Sequence, residues 1–139
     1  MSALQDLEVG QVVAERDLHL TRESLVRYAG ASGDFNPIHY RDDVAAAVGL
    51  PGVLAHGMLT MGLSVSTIVA WLGDSGRLVD VGVRFTRPVV VDPESGADLT
   101  VVAKVGQLDA EARVARIDLT VKVGEETVLG KAQARVSLD

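Results

Sequence analysis

A single long apolar segment followed by alternating sequence restricts the fold of this 139-residue chain more than any other feature. From Gly57 to Leu72 apolar residues cover nearly the whole circumference of a helix of about four turns, which is typical of a helix buried on most sides. From about Arg77 onward apolar and polar residues alternate with a period of two, as in Ile117 to Val123. We therefore expect an α+β fold in which a curved antiparallel sheet wraps around one central helix.

Shorter elements are expected on either side of this helix. Thr21 offers an N-cap hydroxyl for a helix through about Ala31, with the apolar residues Leu25, Val26 and Ala29 on one side. The remaining predictions are a first strand from Gln11 to Leu20, a short helix from Asp42 to Val48 ending at Gly49, strands near Leu78–Val91, Asp98–Gln107 and Val128–Leu138, and a hairpin connection at Gly124–Glu126.

Length and composition exclude several classes of protein. We expect residues 1–139 to form one domain, because the chain is long enough for one core and leaves little room for another. The absence of cysteine excludes disulfide scaffolds, thiolate zinc sites and cysteine nucleophiles, and it is compatible with the cytoplasm, where we expect the protein. The net charge of −6 with scattered basic residues disfavours nucleic-acid binding. The N-terminal sequence lacks the features of a secretory signal, and no membrane span is predicted.

The segment around Asp34 and His39 is the first candidate for chemistry. The two residues stand five positions apart across Asn36-Pro37, and proline restricts both its own backbone and that of the residue before it. A carboxylate and an imidazole held together form a minimal general acid–base pair. Residue types alone leave open, and favour, a simpler interpretation in which Asp34 and Asn36 build a turn and His39 is a surface or core histidine.

The second candidate is the tripeptide His56-Gly57-Met58 at the predicted start of the long helix. N–H groups at a helix N-terminus attract negative charge, and a glycine lets a ligand atom approach the backbone closely. A thioester oxygen needs such a donor when an enolate-like charge develops on it. Taken alone, the tripeptide is explained as well by a glycine at a loop-to-helix junction.

Together the two candidates form a specific pattern. The spacing G-D-x-N-P-I-H-x5-A followed by H-G-M resembles the hydratase signature of MaoC-like (R)-specific enoyl-thioester hydratases. The resemblance extends along essentially the whole chain, including V-R-F-T-R-P-V at Val83–Val89. The short chain and the wording A-H-G-M-L-T-M-G are most similar to the catalytic subunit of (3R)-hydroxyacyl-ACP dehydratases of mycolic-acid-type fatty-acid elongation.

This resemblance implies a hotdog fold, a homodimer or heterodimer of related hotdog subunits, and reversible hydration of trans-2-enoyl thioesters of coenzyme A or acyl carrier protein to (3R)-3-hydroxyacyl thioesters. It implies that Asp34 and His39 hold the reacting water and that the Gly57 N–H polarises the thioester carbonyl. Asn36, His56 and Met58 would support them. Arg84 and Arg87 are candidates for phosphate contacts, with ordinary solvated arginines as the alternative. No metal and no cofactor are expected.

Two other functions are compatible with such a fold. A hotdog thioesterase would share the architecture, but the intact D-x-N-P-x-H spacing argues against it. A non-catalytic acyl-binding subunit of a heterodimer would be expected to lack the Asp34–His39 pair. The sequence leaves open the acyl chain length, the carrier, the physiological direction, the type of dimer, and which of Asp34 and His39 is the base.

Overall fold

A computed structural model describes residues 4–139 of the chain. The N-terminal sequence that lacks the features of a secretory signal begins with residues 1–3, which lie outside the described residues. Within residues 4–139 six strands form one antiparallel sheet in the order β1-β3-β4-β6-β2, with β5 beside β4. The strands are β1 (Val12–Leu20), β2 (Leu78–Phe85), β3 (Ala97–Asp109), β4 (Val114–Val123), β5 (Glu126–Thr127) and β6 (Leu129–Ser137).

Period-two alternation in the second half of the chain places one face of the sheet in the core. Ile117 on β4 lies opposite Val105 on β3 and Ala134 on β6, and all three are fully buried. The intervening residues point to the other face, because successive strand side chains alternate. The Gly124-Glu125 turn joins β4 to β5 where Val123 pairs with Glu126, so the predicted hairpin is confirmed. The α+β architecture is confirmed as well.

Helix α3 (Gly57–Leu72) packs on this sheet. Its fully buried residues are Thr60, Ser64, Thr67 and Ile68, so three of the four are small and polar. Ser64 Oγ donates to the carbonyl of Thr60 at 2.7 Å, which satisfies its hydroxyl inside the core. Of its sixteen residues only Gly57, Met58, Gly62 and Ala70 are exposed, which agrees with the prediction of a helix buried on most sides. None of the helices in residues 4–139 is long and apolar enough to cross a membrane.

Helix α1 (Arg22–Ser32) begins as predicted at Thr21. The Thr21 hydroxyl accepts the Ser24 N–H and the Ser24 hydroxyl accepts the Thr21 N–H, which forms a reciprocal cap. Of the three apolar residues expected on one side, Leu25 and Ala29 are buried, whereas Val26 is 61% exposed. Leu25 and Ala29 are four positions apart and therefore share one helix face, whereas the side chain of Val26, the next residue after Leu25, points in a different direction.

The strand expected over Leu78–Val91 ends early, at Phe85. Pro88 lacks an N–H group, which disfavours a continuous ladder through this segment. The chain pairs instead with residues 53–55, through the Ala55 N–H to the Val89 carbonyl at 2.8 Å and the Val91 N–H to the Val53 carbonyl at 2.9 Å. These bonds fix the segment between the short helix α2 (Asp42–Ala47) and α3. They thereby bring residues 85–89 beside the start of α3.

Candidate active site

Two successive side-chain turns shape the loop that carries Asp34. Helix α1 ends at Gly33, whose φ of 78° is readily adopted by glycine. Asp34 Oδ1 then accepts the Asn36 N–H at 3.1 Å, and Asn36 Oδ1 accepts the Ile38 N–H at 3.2 Å. Asn36 thus caps a 3-10 turn, Pro37–His39, that begins with proline. These local bonds fix the path from Asp34 to His39.

The loop brings the Asp34 carboxylate and the His39 imidazole to the same place. Asp34 Oδ2 lies 3.9 Å from His39 Nε2, too far for a direct hydrogen bond and suitable for a bridging water. His39 Nδ1 lies 2.7 Å from the Leu54 carbonyl, which can only accept, so Nδ1 carries a proton. Neutral His39 therefore presents the lone pair of Nε2 toward Asp34. Asp34 is half exposed and His39 is buried.

A second histidine lies directly behind this pair. His56 is 1% exposed, and its ring stacks on that of His39 with centroids 3.8 Å apart and planes inclined by 21°. Tyr28 from α1 contacts the His56 ring edge-on at 4.7 Å. His56 Nε2 donates to the Asp34 carbonyl at 3.1 Å. Burial lowers the pKa of His56 below its ordinary value, and the neighbouring His39 lowers it further, against the opposing effect of the bond to Asp34.

A cavity of about 270 Å³ adjoins His39 and the first turn of α3. Gly57 is on its wall, and a methyl group added to Gly57 would lie 2.9 Å from Phe85 Cε1, so the Phe85 ring packs on the glycine. No side chain caps the N-terminus of α3. The other residues of the wall are mostly apolar: Leu54, Ala55, Thr60, Thr86, Arg87, Pro88, Val89, Val128 and Leu129.

The other residues expected from sequence lie at different distances from this cavity. Arg87 is on its wall and pairs with Glu126 at 3.2 Å. Arg84 is exposed on β2 and is not among the residues of the wall, and Met58 is 57% exposed and is not among them either. Sequence reasoning missed the Leu54 carbonyl and the ring of Phe85. Phe85 lies in the V-R-F-T-R-P-V segment, which was the available signal for it.

One ligand atom from each of Asp34, His39 and His56 lies within 4.8 Å of the others, a spacing compatible with a metal ion. A metal ion lies about 2 Å from a ligating imidazole nitrogen and close to the plane of its ring. The two imidazoles are stacked, so their planes run side by side rather than converging on one centre. The arrangement fits an acid–base pair with a supporting imidazole better than a metal centre.

Comparison with known proteins gives a consistent result. A family model described as MaoC like domain matches residues 6–126. The chain is 32% identical over 134 residues to 3-hydroxybutyryl-CoA dehydratase of Methylorubrum extorquens, covering 95% of this chain and 82% of that protein. It is 38% identical over 79 residues to 3-hydroxyacyl-thioester dehydratase X of Mycobacterium tuberculosis, covering 57% of this chain but only 27% of that protein.

Solved structures share the fold. A structure titled MaoC-like dehydratase is 38% identical with a TM-score of 0.94, over 98% of this chain and 42% of the solved chain. The (R)-hydratase from A. caviae involved in PHA biosynthesis is 26% identical with a TM-score of 0.84, over 97% of this chain and 99% of the solved chain. The single chain therefore has the hotdog architecture of these neighbours.

Proposed function

Because this chain belongs to the MaoC-like domain family, we propose that it catalyses the reversible addition of water to trans-2-enoyl thioesters, giving (3R)-3-hydroxyacyl thioesters. The observation that carries the proposal is the 3.9 Å approach of Asp34 Oδ2 to His39 Nε2 beside the cavity that also contains Gly57. The names of the relatives and the full-length likeness to an (R)-hydratase support the reaction and its stereochemistry.

We assign the water to the gap between Asp34 and His39, where it donates one hydrogen to Oδ2 and one to Nε2. In hydration the water oxygen bonds to C3, and its proton passes to the pair. The electrons of the C2–C3 double bond move toward the thioester carbonyl, and C2 then takes a proton from the pair. Elimination of water from the 3-hydroxyacyl thioester is the same path in reverse. We treat Asp34 and His39 as one coupled acid–base unit.

Gly57 is the proposed oxyanion donor. Its N–H is the first of α3 and has no acceptor within the helix, and it lies at the positive end of the helix dipole. A donor fixed before the reaction stabilises charge as it develops on the thioester oxygen. In this proposal Asn36 holds the loop and His56 supports the pair from behind, while Met58 borders the first turn of α3.

The surroundings of the cavity support two further proposals, a contact with the carrier and a partner subunit. Arg87 on the cavity wall and the exposed Arg84 are the proposed contacts for carrier phosphates, whether coenzyme A or acyl carrier protein. Phe35, Met58 and Phe85 are 55–60% exposed, and exposed apolar side chains that are grouped beside a site can mark an interaction surface. We propose that a second hotdog subunit, identical or related, covers them in a cytoplasmic dimer.

The decisive test is the reaction of the purified protein with crotonyl-CoA. We expect loss of the enoyl-thioester absorbance without release of free thiol, and we expect His39→Ala to abolish most of this activity. His19→Ala is the matched control, because His19 also pairs with a carboxylate, Asp98 at 2.6 Å, but on the exposed surface. Thiol release without hydration would favour a thioesterase, and full activity of His39→Ala would reject the proposed pair. Mass measured by size exclusion alongside activity distinguishes a working homodimer from half of a heterodimer.

A further inference from the structure

His56 differs from an ordinary residue at the start of a helix. It makes no side-chain cap on α3, and its ring is directed instead into the protein. There it contacts His39 by its face, Tyr28 by its edge and the Asp34 carbonyl by Nε2. One buried side chain therefore touches both members of the proposed acid–base pair, from a position 17 residues beyond His39 in the sequence.

The hydrogen bonds of the two histidines require opposite tautomers. His39 donates from Nδ1 to the Leu54 carbonyl, so its Nε2 is free to act on water. His56 donates from Nε2 to the Asp34 carbonyl, so its Nδ1 is the bare nitrogen when the ring is neutral. That Nδ1 is buried and has no hydrogen-bond partner among residues 4–139. A proton there would be a buried donor without an acceptor.

Burial and the neighbouring His39 lower the pKa of His56, which favours its uncharged form. The titratable side chains that face it are Tyr28 from α1, Asp34 from the loop and His39 from the 3-10 turn. Asp34 is half exposed, so solvent weakens the attraction between its carboxylate and a proton on His56. His39 repels a second positive charge across a 3.8 Å stack. The site therefore contains one imidazole whose Nε2 faces Asp34 and a second imidazole whose uncharged form is favoured.

We propose that His56 is a positioning residue for the reaction: a neutral imidazole that fixes the Asp34 peptide through its Nε2–H and the His39 ring through its face. This inference rests on the proposed function. A ring in this position prevents His39 from turning about its bond to Leu54 and holds the Asp34 carboxylate at its distance from Nε2. Misplacement of such groups by about 1 Å can lower a rate by about a hundredfold.

Nuclear magnetic resonance tests the tautomers without any activity measurement. Long-range proton–nitrogen spectra of the three histidines, assigned with His19→Gln and His39→Gln variants, distinguish a protonated Nδ1 from a protonated Nε2. We expect His56 to be the Nε2–H tautomer and to have a pKa below the ordinary value for histidine, while neutral His39 is the Nδ1–H tautomer. A His56 whose pKa is not below the ordinary histidine value, or whose neutral ring carries its proton on Nδ1, overturns the proposal.

Two substitutions separate the contributions of His56. His56→Phe keeps a flat ring against His39 but loses the donor to Asp34, whereas His56→Gln keeps a donor near the position of Nε2 but loses the ring. For each folded variant we expect kcat for crotonyl-CoA hydration to fall about 10- to 100-fold, with KM changed less than about threefold. His19→Phe and His19→Gln are the matched controls and should retain wild-type kcat.

The outcomes are distinguishable. Wild-type kcat in both folded His56 variants, or a loss of activity that merely follows the loss of folded protein, refutes the positioning role. The positioning role is also refuted if kcat is retained and the whole change in kcat/KM comes from a higher KM. Absence of hydration by the wild-type protein would instead remove the proposed function, and the spectra would then still report the tautomers.

Discussion

Replacement of Asp34 by asparagine tests the acid–base pair most directly, because the two carboxylate oxygens have different partners. Oδ1 accepts the Asn36 N–H at 3.1 Å, and Oδ2 faces His39 Nε2 at 3.9 Å. In Asp34→Asn the amide oxygen can keep the first bond, while an NH₂ group replaces Oδ2. The loop is thereby retained, but the acceptor for the water proton becomes a donor.

The magnitudes follow from this geometry. Asp34 is 51% exposed, and the substitution preserves both its volume and the turn, so the free energy of unfolding should change by less than about 0.5 kcal/mol. General acid–base catalysis contributes about 10²- to 10⁴-fold to a rate. We therefore expect kcat for crotonyl-CoA hydration to fall by that factor, which corresponds to about 3–5 kcal/mol in the activation free energy.

Initial rates and urea unfolding of the same preparations measure both quantities. Asp98→Asn is the matched control, because Asp98 also faces a histidine, His19 at 2.6 Å, yet is 85% exposed and far from the chemistry in this proposal. The control should keep wild-type kcat, and its stability should change little, since exposed ion pairs contribute little. A folded Asp34→Asn protein with kcat within tenfold of wild type would refute the assignment of the pair.

Three further predictions concern pH, the carrier and the backbone. Because burial lowers the pKa of His56 in the folded state, the unfolded chain binds its proton more readily. The free energy of unfolding should therefore decline as pH falls from about 7 to 5. In His56→Gln the dependence of this free energy on pH, measured by urea unfolding, should be smaller by up to about 1.4 kcal/mol per pH unit. Arg87→Ala should raise KM for crotonyl-CoA severalfold with kcat retained, and an equal increase with a pantetheine thioester that lacks phosphates would contradict a phosphate contact. Gly96→Ala would place a methyl group 2.2 Å from the Leu20 carbonyl and should lower the free energy of unfolding by several kcal/mol in urea titrations. Gly49 has the same left-handed backbone without crowding, so Gly49→Ala should lower it by only about 1–2 kcal/mol. Equal losses in the two variants would contradict the steric explanation.

Much of the fold could be predicted from sequence, because its signals are local. The cap at Thr21, the alternation along β4 and the turn at Gly124-Glu125 each depend on residues close together in the chain. The differences lie where tertiary packing decides. The exposure of Val26 depends on how α1 packs, and the strand predicted near Leu78–Val91 ends at Phe85 because residues 89–91 pair with residues 53–55, which is not visible in sequence.

The site shows the same division. The proximity of Asp34 to His39 was expected from the proline between them, since a short braced loop limits how far their side chains can separate. The stacking of His56 on His39 brings together two segments that are separate in sequence, and no sequence periodicity predicts it. The sequence pattern predicted a supporting role for His56 but not which groups it contacts. Its contacts, rather than its spacing, give it a defined role.

The bond from His39 to the Leu54 carbonyl has an evolutionary consequence. The acceptor is a main-chain carbonyl. Every amino acid at position 54 would supply it, as long as the chain folds in the same way. The backbone path, rather than the identity of residue 54, therefore determines which nitrogen of His39 carries the proton. Substitutions on the wall of the cavity can therefore change its shape without changing which nitrogen of His39 carries the proton.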